Sequence, residues 1–448
     1  MFNSNDVVLY FTTGFSKTII SDQFAFFTKF LVCFFSFLYF FIIADFLKEY
    51  RLSSFEYLLI MLFAIFGLVL LCISNDLLSA YLSIELISLS SYVLAGFKKT
   101  SSYSAEAGVK YLITGAISSA FFLLGSSFIY AYCGSVNLID LGFVLSDSFW
   151  FELENTHSLL EPFLEIGVSF VFLSLLIKLA VAPFHIWSLE VYEGSPIIST
   201  FFFAVITKLS FFVFLVRISY ALTPMYNDTC QFYAILIAIL SVFVGSFGGL
   251  RQRKLKTLLA YSSISHMGYA LLAYSAGSRF GVEMLIFYLI IYILSGLSIW
   301  FVVLATRLGQ TRYSDKSKKE LGDLALLRKS NPALALCLTF SMFSIAGIPP
   351  LVGFFVKIGV FLSVLHSKYY FIAILIVLCS VASTFYYIRI IKILYFDNLL
   401  VGNLYYPLLS VKTILCSMSV FLLLFFFLNP TFLYLLIYRV SLFSFKFV

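Results

Sequence analysis

The sequence predicts an all-α integral membrane protein with about twelve transmembrane helices, arranged as two inverted five-helix repeats, each with a Pro-broken fourth helix. Three observations predict this fold. Of the 448 residues, 62% are hydrophobic and only 11% are charged; apolar runs of about 20 residues recur; and unusual residues occupy matching places in two halves of the chain. Because so few polar side chains cannot cover a soluble protein of this size, the chain must lie in a bilayer.

Twelve apolar runs are bounded by charges or by Pro, Gly, Asn and Asp, as transmembrane helices are. The predicted spans are 24–47, 56–73, 77–97, 105–132, 162–187, 196–219, 231–249, 254–275, 281–307, 332–365, 369–396 and 412–438. They divide the chain into an N-terminal segment with one helix, two repeats and a C-terminal helix. These domains cover residues 1–55, 56–219, 220–396 and 397–448.

Two further segments carry weaker signals. Residues 6–20 are a candidate for a partial extra segment in the membrane. Residues 133–161 form the longest connection on their side, are acidic, and are expected to be solvated.

Lysine and arginine sort by side. The loops after the first, third, seventh and ninth spans hold most of them, including the cluster between Arg307 and Lys329. By the positive-inside rule these loops face the matrix or the cytoplasm, and both termini lie on the opposite side. This distribution also explains the net charge of +7, so we expect lipid headgroups as neighbours and no nucleic acid.

The cysteines and the N-terminus exclude several classes. Seven cysteines without a CxxC pair predict neither a disulfide framework, a zinc site nor an iron–sulfur cluster. The first residues resemble neither an arginine-rich presequence nor a cleaved signal peptide. The 55 phenylalanines hint at an AT-rich organellar genome.

Ionisable residues deep in the spans predict the functional site. Glu85, Lys178, Lys208 and Lys357 each lie well inside an apolar run, where a charge costs several kcal/mol and normally faces a partner or water. His266 occupies the second helix of the second repeat, as Glu85 does in the first. Its ordinary pKa near ~6.5 suits proton transfer, although a hydrogen-bonded core histidine has the same sequence signature.

Prolines interrupt the fourth helix of each repeat next to a lysine. Pro183 follows Lys178, and Pro349 and Pro350 precede Lys357. Because proline lacks an N–H and clashes with the preceding turn, both helices should break and free backbone carbonyls near the lysines. A single proline in a membrane helix is often a tolerated kink, but two at matching positions beside lysines favour a transport function.

The motifs resemble one family closely. They are KLAVAPFHIW at 178–187 with its continuation to Lys208, ELISLSSYVLAG at 85–96, SISHMGY at 263–269 and GIPPLVGF at 347–354. The chain resembles the antiporter-like membrane subunits of respiratory NADH:quinone oxidoreductase, complex I. Within that family its motif sequences are most similar to those of the subunit-2 branch. The resemblance covers most of residues 56–396, and about two N-terminal helices of the bacterial pattern are absent.

The resemblance implies roles for each position. Glu85 and Lys178 correspond to a buried ion pair that tunes the channel, Lys208 to the central protonatable lysine, His266 to a histidine on the hydrated axis, and Lys357 to the distal lysine. The subunit would translocate protons across the mitochondrial inner membrane as a non-redox part of the enzyme, with the basic loops in the matrix and both termini in the intermembrane space.

Cofactors and partners follow from the same resemblance. NADH, FMN, iron–sulfur clusters and quinone are expected in other subunits and none in this chain, with cardiolipin as a structural lipid. The expected partners are other membrane-arm subunits, including another antiporter-like subunit and small membrane subunits.

Three alternatives stay open from the residues. A cation/proton antiporter subunit shares the repeat and the lysines, although Glu85 is the only acid deep in a span. A plastid or bacterial equivalent of the complex has the same motifs. A haem-bearing cytochrome b needs paired axial histidines, whereas His157 and His366 lie in or beside loops, leaving His185 and His266.

Two geometric expectations follow. Glu85 and Lys178 should lie within direct or one-water reach, because each is otherwise an uncompensated buried charge. Lys208, His266 and Lys357 should line one continuous hydrated strip across both repeats. Moving a proton against ~180 mV costs about 4 kcal/mol, roughly 3 pKa units, which the opening of a buried ion pair can supply.

Overall fold

Long apolar helices carry the fold. The computed structural model of the protein describes residues 12–50, 52–148, 161–222, 229–305, 320–325, 327–397 and 410–444. Within these ranges nine helices are long and apolar enough to cross a membrane, or ten if a bent C-terminal pair counts as one span. The prediction of an all-α membrane protein is therefore confirmed, while the count of twelve spans stays a prediction.

The first half begins with a small hairpin of β1 (Thr12–Gly14) and β2 (Ile19–Ser21). The helices that follow are α1 (Gln23–Glu49), α2 (Phe55–Ile73), α3 (Leu77–Gly96), α4 (Ser102–Cys133), α5 (Leu138–Ser148), α6 (Glu161–Leu179), α7 (Ile186–Gly194), α8 (Ile197–Val205) and α9 (Thr207–Ala221). The hairpin takes the place of the partial membrane segment predicted for residues 6–20, of which residues 6–11 lie outside the described part.

The described part of the second half contains three intact long helices, a broken one, a further long helix and a bent C-terminal pair. Its helices are α10 (Thr229–Leu250), α11 (Leu255–Ser275), α12 (Arg279–Ala305), α13 (Leu327–Ser330), α14 (Pro332–Ala346), α15 (Val352–His366), α16 (Tyr370–Tyr395), α17 (Ser410–Leu428) and α18 (Pro430–Ser444). The span of α8 and α9 is entirely buried and α12 is nearly so, so these two form the centre of the fold.

Short polar residues begin several helices. The side chains of Asp22, Ser54, Asp76 and Ser101 accept hydrogen bonds from first-turn backbone N–H groups, which have no partner within the helix itself. At the other end of α4, Gly134 adopts φ 69°, a left-handed conformation that glycine tolerates best. These signals fix where the long helices start and stop.

The connection 133–161 contains a helix that the sequence interpretation missed. Leu138, Leu141 and Leu145 on α5 are buried, and α5 packs against α9. Their spacing of three and four residues is that of one helix face, so an apolar stripe was present among the acidic residues. The expectation of a merely solvated connection is wrong for residues 138–148.

The C-terminal span 412–438 does not run as one straight helix. α17 and α18 meet at an angle of 84°, because Pro430 cannot continue a helix but begins the next one well. α18 docks on the start of α12, where Ser441 and Tyr434 donate to the buried Glu283 carboxylate at 2.7 and 3.2 Å and Arg279 lies 3.3 Å from it.

Candidate functional site

Both predicted helix breaks are present at the prolines. α6 ends at Leu179 and the helix resumes at Ile186, so that Pro183 lies in the gap. α14 ends at Ala346 and α15 starts at Val352, with Pro349 and Pro350 between them. At each break the residue four places after the last helical carbonyl, Leu179 or Ala346, is a proline, Pro183 or Pro350, which has no N–H to donate to it.

A lysine ammonium binds the free carbonyl end of each broken helix. Lys208 Nζ donates to the Leu179 carbonyl at 2.7 Å, and Lys357 Nζ donates to the Ala346 carbonyl at 2.7 Å. The C-terminus of a helix carries partial negative charge, so a cation is stabilised there. The sequence interpretation placed Lys178 at the first break; the residue that binds its carbonyl is Lys208, which comes from the following span.

The span that carries Lys208 is itself interrupted. α8 ends at Val205 and α9 starts at Thr207, immediately before the lysine. Near this interruption the Ala204 carbonyl accepts a hydrogen bond from the Tyr292 hydroxyl of α12 at 3.0 Å. Lys208 itself is only 2% exposed. Its charge is therefore stabilised by the Leu179 carbonyl that it contacts and not by bulk water. The interruption has no proline or glycine to signal it.

His266 lies in a cluster of tyrosines. Its Nδ1 and the Tyr288 hydroxyl are 2.5 Å apart, and its Nε2 and the Tyr387 hydroxyl are 3.0 Å apart. The Tyr386 hydroxyl in turn lies 3.4 Å from that of Tyr387, and the Tyr292 ring is 5.4 Å from the imidazole. In a neutral imidazole one nitrogen donates and the other accepts, so the two hydroxyls have opposite roles and the ring can pass a proton between them.

A cavity joins His266 and Lys357. It measures about 20 Å³ and is lined by both residues, together with Tyr288 and Ser344. The buried Ser344 hydroxyl has no hydrogen-bond partner among the described residues. Since this volume and these polar groups suffice for one or two water molecules, the structure brings two members of the predicted strip together. Tyr292 also lines this cavity and bonds to Ala204, four residues before Lys208. The continuous strip that includes Lys208 stays a prediction.

Glu85 and Lys178 are not in direct contact among the described residues, and the other half of the expectation, reach through one water, stays a prediction. Lys178 Nζ donates to the Tyr92 hydroxyl at 3.2 Å, whereas the Glu85 carboxylate accepts from Ser88 at 3.2 Å. Lys178 is buried and Glu85 only partly so. The physical reason is that Tyr92 shares a face of α3 with Glu85, two turns later, and its hydroxyl lies in front of the lysine.

Other charged contacts lie at the ends of α7 and were not predicted. Lys256 is buried and donates to the Ser195 carbonyl at 2.7 Å, and Lys254 is paired with Glu193. Within α7 itself, Glu190 lies 2.7 Å from Lys110, which is also 2.7 Å from Glu106. Only their charge in otherwise apolar surroundings could have indicated them, because their partners come from other helices.

The remaining histidines of the haem alternative are scattered. His185 precedes α7, and its buried Nδ1 has no hydrogen-bond partner within the part of the chain that the structure describes. His366 ends α15, where its ring meets Phe280 edge-on at 5.6 Å. His157 lies outside the described residues. Among the described histidines, only His266 lies in the cluster of tyrosines.

The chain matches known proteins over most of its length. Residues 74–383 match the family model of the transmembrane domain of NADH:quinone oxidoreductase and Mrp antiporter subunits. The chain is 37% identical over 398 residues to NADH-ubiquinone oxidoreductase chain 2 of Marchantia polymorpha, covering 89% of this chain and 79% of the relative.

Two solved structures have the same fold. A chain of respiratory complex I from Thermus thermophilus with bound aureothin superposes with a TM-score of 0.77 at 26% identity, covering 93% of this chain and 86% of that one. A chain of the Mrp complex from Dietzia sp. gives 0.80 at 18% identity, covering 96% and 84%. At the latter identity the likeness concerns the fold alone.

Proposed function

Because the chain belongs to the family of NADH:quinone oxidoreductase and Mrp antiporter membrane subunits, as its match to complex I chain 2 shows, we propose that it translocates protons in the membrane arm of complex I. The observation that supports this most is the paired arrangement of Lys208 and Lys357 on the carbonyl ends of the two broken helices. Each lysine is a group that can gain and lose a proton inside the membrane.

The proposed route runs across both repeats. Lys208 holds a proton near the first break, and Lys357 holds one near the second. His266 exchanges protons with Lys357 through the cavity that they share, and Tyr288 and Tyr387 keep its ring oriented. Hydroxyl groups and one or two waters can carry a proton over such distances.

Charge near Lys178 regulates the first lysine. Lys178 immediately precedes Leu179, whose carbonyl binds Lys208. A positive charge at Lys178 therefore repels a proton on Lys208, and a negative charge at Glu85 weakens that repulsion. Changing the link between Glu85 and Lys178 would load or unload Lys208.

The setting of this activity is the mitochondrial inner membrane. The similarity to a chain 2 of a plant-lineage complex supports it, and the basic loops are placed in the matrix. NADH oxidation, quinone reduction and the flavin and iron–sulfur groups are assigned to other subunits. The neighbours in the complex are another antiporter-like subunit and small membrane subunits, with cardiolipin between them.

The test is the substitution Lys208→Met in the assembled complex, reconstituted in vesicles. We expect assembly to survive, because an apolar side chain replaces a buried charge at little cost, and proton pumping to fall by roughly tenfold or more, the scale of losing a proton-transfer group. The matched control is Lys29→Met, which removes a lysine from α1 outside both repeats.

Normal pumping by Lys208→Met would contradict the proposed function. Measuring pumping with and without sodium separates the antiporter alternative: a sodium requirement without NADH oxidation in the native complex would favour that alternative over the one proposed.

A further inference from the structure

A row of side-chain hydroxyls occupies the space between Glu85 and Lys178. Residues 85, 88 and 92 share one face of α3, because their spacing is three and four residues. The Glu85 carboxylate accepts from Ser88 Oγ at 3.2 Å, the same hydroxyl lies 3.1 Å from the Glu85 backbone carbonyl, and the Tyr92 oxygen accepts from Lys178 Nζ at 3.2 Å. Ser88 lies one turn before Tyr92 on this face, so the two hydroxyl side chains separate the two charges.

The chemistry of the four groups gives the row a direction. An ammonium group only donates hydrogen bonds and a carboxylate only accepts them, whereas a hydroxyl does both. In a hydrogen-bonded row of these groups, every donor therefore points from Lys178 toward Glu85. Ser88, Tyr92 and Lys178 are 3%, 8% and 9% exposed, so bulk water competes little and the bonds polarise one another in a low dielectric.

The position of the Tyr92 hydroxyl is enforced by packing. Its ring meets Tyr111 edge-on at 4.9 Å, and Tyr111 stacks on Trp187 at 4.7 Å. The Trp187 indole N–H donates to the Ile177 carbonyl at 3.0 Å, directly beside Lys178. On the other side Gly115 leaves room for the hydroxyl, since a methyl group there would overlap it. The site is thus built around this oxygen.

We propose that Tyr92 and Ser88 form a proton relay between Lys178 and Glu85. A proton leaves Lys178 Nζ for the Tyr92 oxygen, the phenol proton passes to Ser88, and the Ser88 proton passes to the Glu85 carboxylate. One N–H bond breaks, one O–H bond forms on the carboxylate, and the hydroxyls are regenerated. The relay neutralises both ends and removes the positive charge beside the carbonyl that binds Lys208.

The inference rests on the proposed function, and its test compares three substitutions in the assembled complex reconstituted in vesicles. Tyr92→Phe removes the central hydroxyl. Ser88→Ala interrupts the row but leaves the bond between Tyr92 and Lys178. Ser88→Thr keeps a hydroxyl at the same place. The control is Tyr57→Phe, which removes a buried hydroxyl bonded to Ser199 at 2.9 Å, away from the charges.

We expect Tyr92→Phe and Ser88→Ala to lower proton pumping about fivefold or more and to shift its pH profile, while NADH oxidation with an uncoupler stays at the parental rate. Ser88→Thr should restore pumping, and Tyr57→Phe should pump normally. Loss in Tyr92→Phe with normal pumping in Ser88→Ala would overturn the relay, because a tyrosine that only positions Lys178 gives that result. Normal pumping in both would also overturn it.

The failures of the two proposals are distinguishable. If Lys208→Met abolishes pumping while Ser88→Ala and Tyr92→Phe retain it, the relay alone is wrong. If Lys208→Met pumps normally, the proposed function is wrong. Native gel electrophoresis of each variant shows whether the complex has assembled, and Ser88→Ala provides the test if Tyr92→Phe does not assemble.

Discussion

At both helix breaks a lysine binds the carbonyl at the end of the broken helix, but the two lysines come from different positions in the chain. At the second break Lys357 lies on α15, the continuation of the broken helix, and folds back onto the Ala346 carbonyl. At the first break the Leu179 carbonyl is bound by Lys208 from the next span, while Lys178 of the broken helix bonds to Tyr92. The first break therefore has two nearby lysines with different partners, whereas at the second break Lys357 is the lysine that bonds to the helix end among the described residues.

The surroundings of the two lysines differ in the same sense. Lys208 is fully buried against backbone carbonyls, whereas Lys357 lines the cavity shared with His266. A site with room for water can exchange protons with its neighbour through that water. On the proposed function, this difference suits the first break to gating and the second to onward transfer.

The largest expected effect that would break this comparison comes from Gly347→Ala. Gly347 has φ 78°, and a Cβ atom there would lie 2.7 Å from Cδ of Lys357. Alanine is strained in this conformation by roughly 1–2 kcal/mol, and its methyl group pushes Lys357 off the Ala346 carbonyl. We expect pumping to fall about tenfold, measured in vesicles with the assembled complex.

Gly322→Ala is the matched control, because a Cβ at Gly322 meets nothing within 4 Å and its φ is not positive. Equal pumping by the two variants would show that the contact between Lys357 and the helix end is dispensable.

An intermediate effect is expected from Tyr288→Phe. The substitution removes the hydroxyl that lies 2.5 Å from His266 Nδ1 and leaves a buried ring nitrogen without a partner, which costs about 1–3 kcal/mol. Because only the second repeat has such a histidine, we expect a several-fold loss of pumping with Lys208 and the first break unaffected. Tyr57→Phe again serves as the reference, and a Tyr288→Phe enzyme that pumps like it would remove His266 from the route.

The sequence predicted the breaks well and their lysine partners only in part. Proline removes a donor wherever it stands, so the interruptions at Pro183 and at Pro349 and Pro350 follow from local chemistry. Which carbonyl Lys208 binds depends on how α9 packs on α6, a tertiary relation with no signal in either segment. The same holds for Tyr92, whose side chain replaces the predicted contact between Glu85 and Lys178.

The tyrosines around His266 illustrate a different limit. Tyr288 and Tyr292 are four residues apart and so share a face of α12, yet in a chain with 29 tyrosines this spacing alone indicates little. Their contacts with His266 form only because α11, α12 and α16 pack together in the fold. Residues whose function needs three helices together are beyond what one apolar pattern can predict.

The smallest expected effect sharpens the comparison at the first break. Ala180 follows α6 with φ 61°, the place and conformation that Gly347 has after α14. Ala180→Gly removes strain of roughly 1 kcal/mol from the folded state. Glycine also raises the conformational entropy of the unfolded chain, which lowers the free energy of unfolding by about 0.4–1 kcal/mol. We therefore expect unchanged pumping and a thermal midpoint within a few degrees of the parent, measured on the purified complex. A large loss of pumping would mean that the first break needs the rigidity of alanine, and that the two breaks differ in their backbone as well as in their lysines.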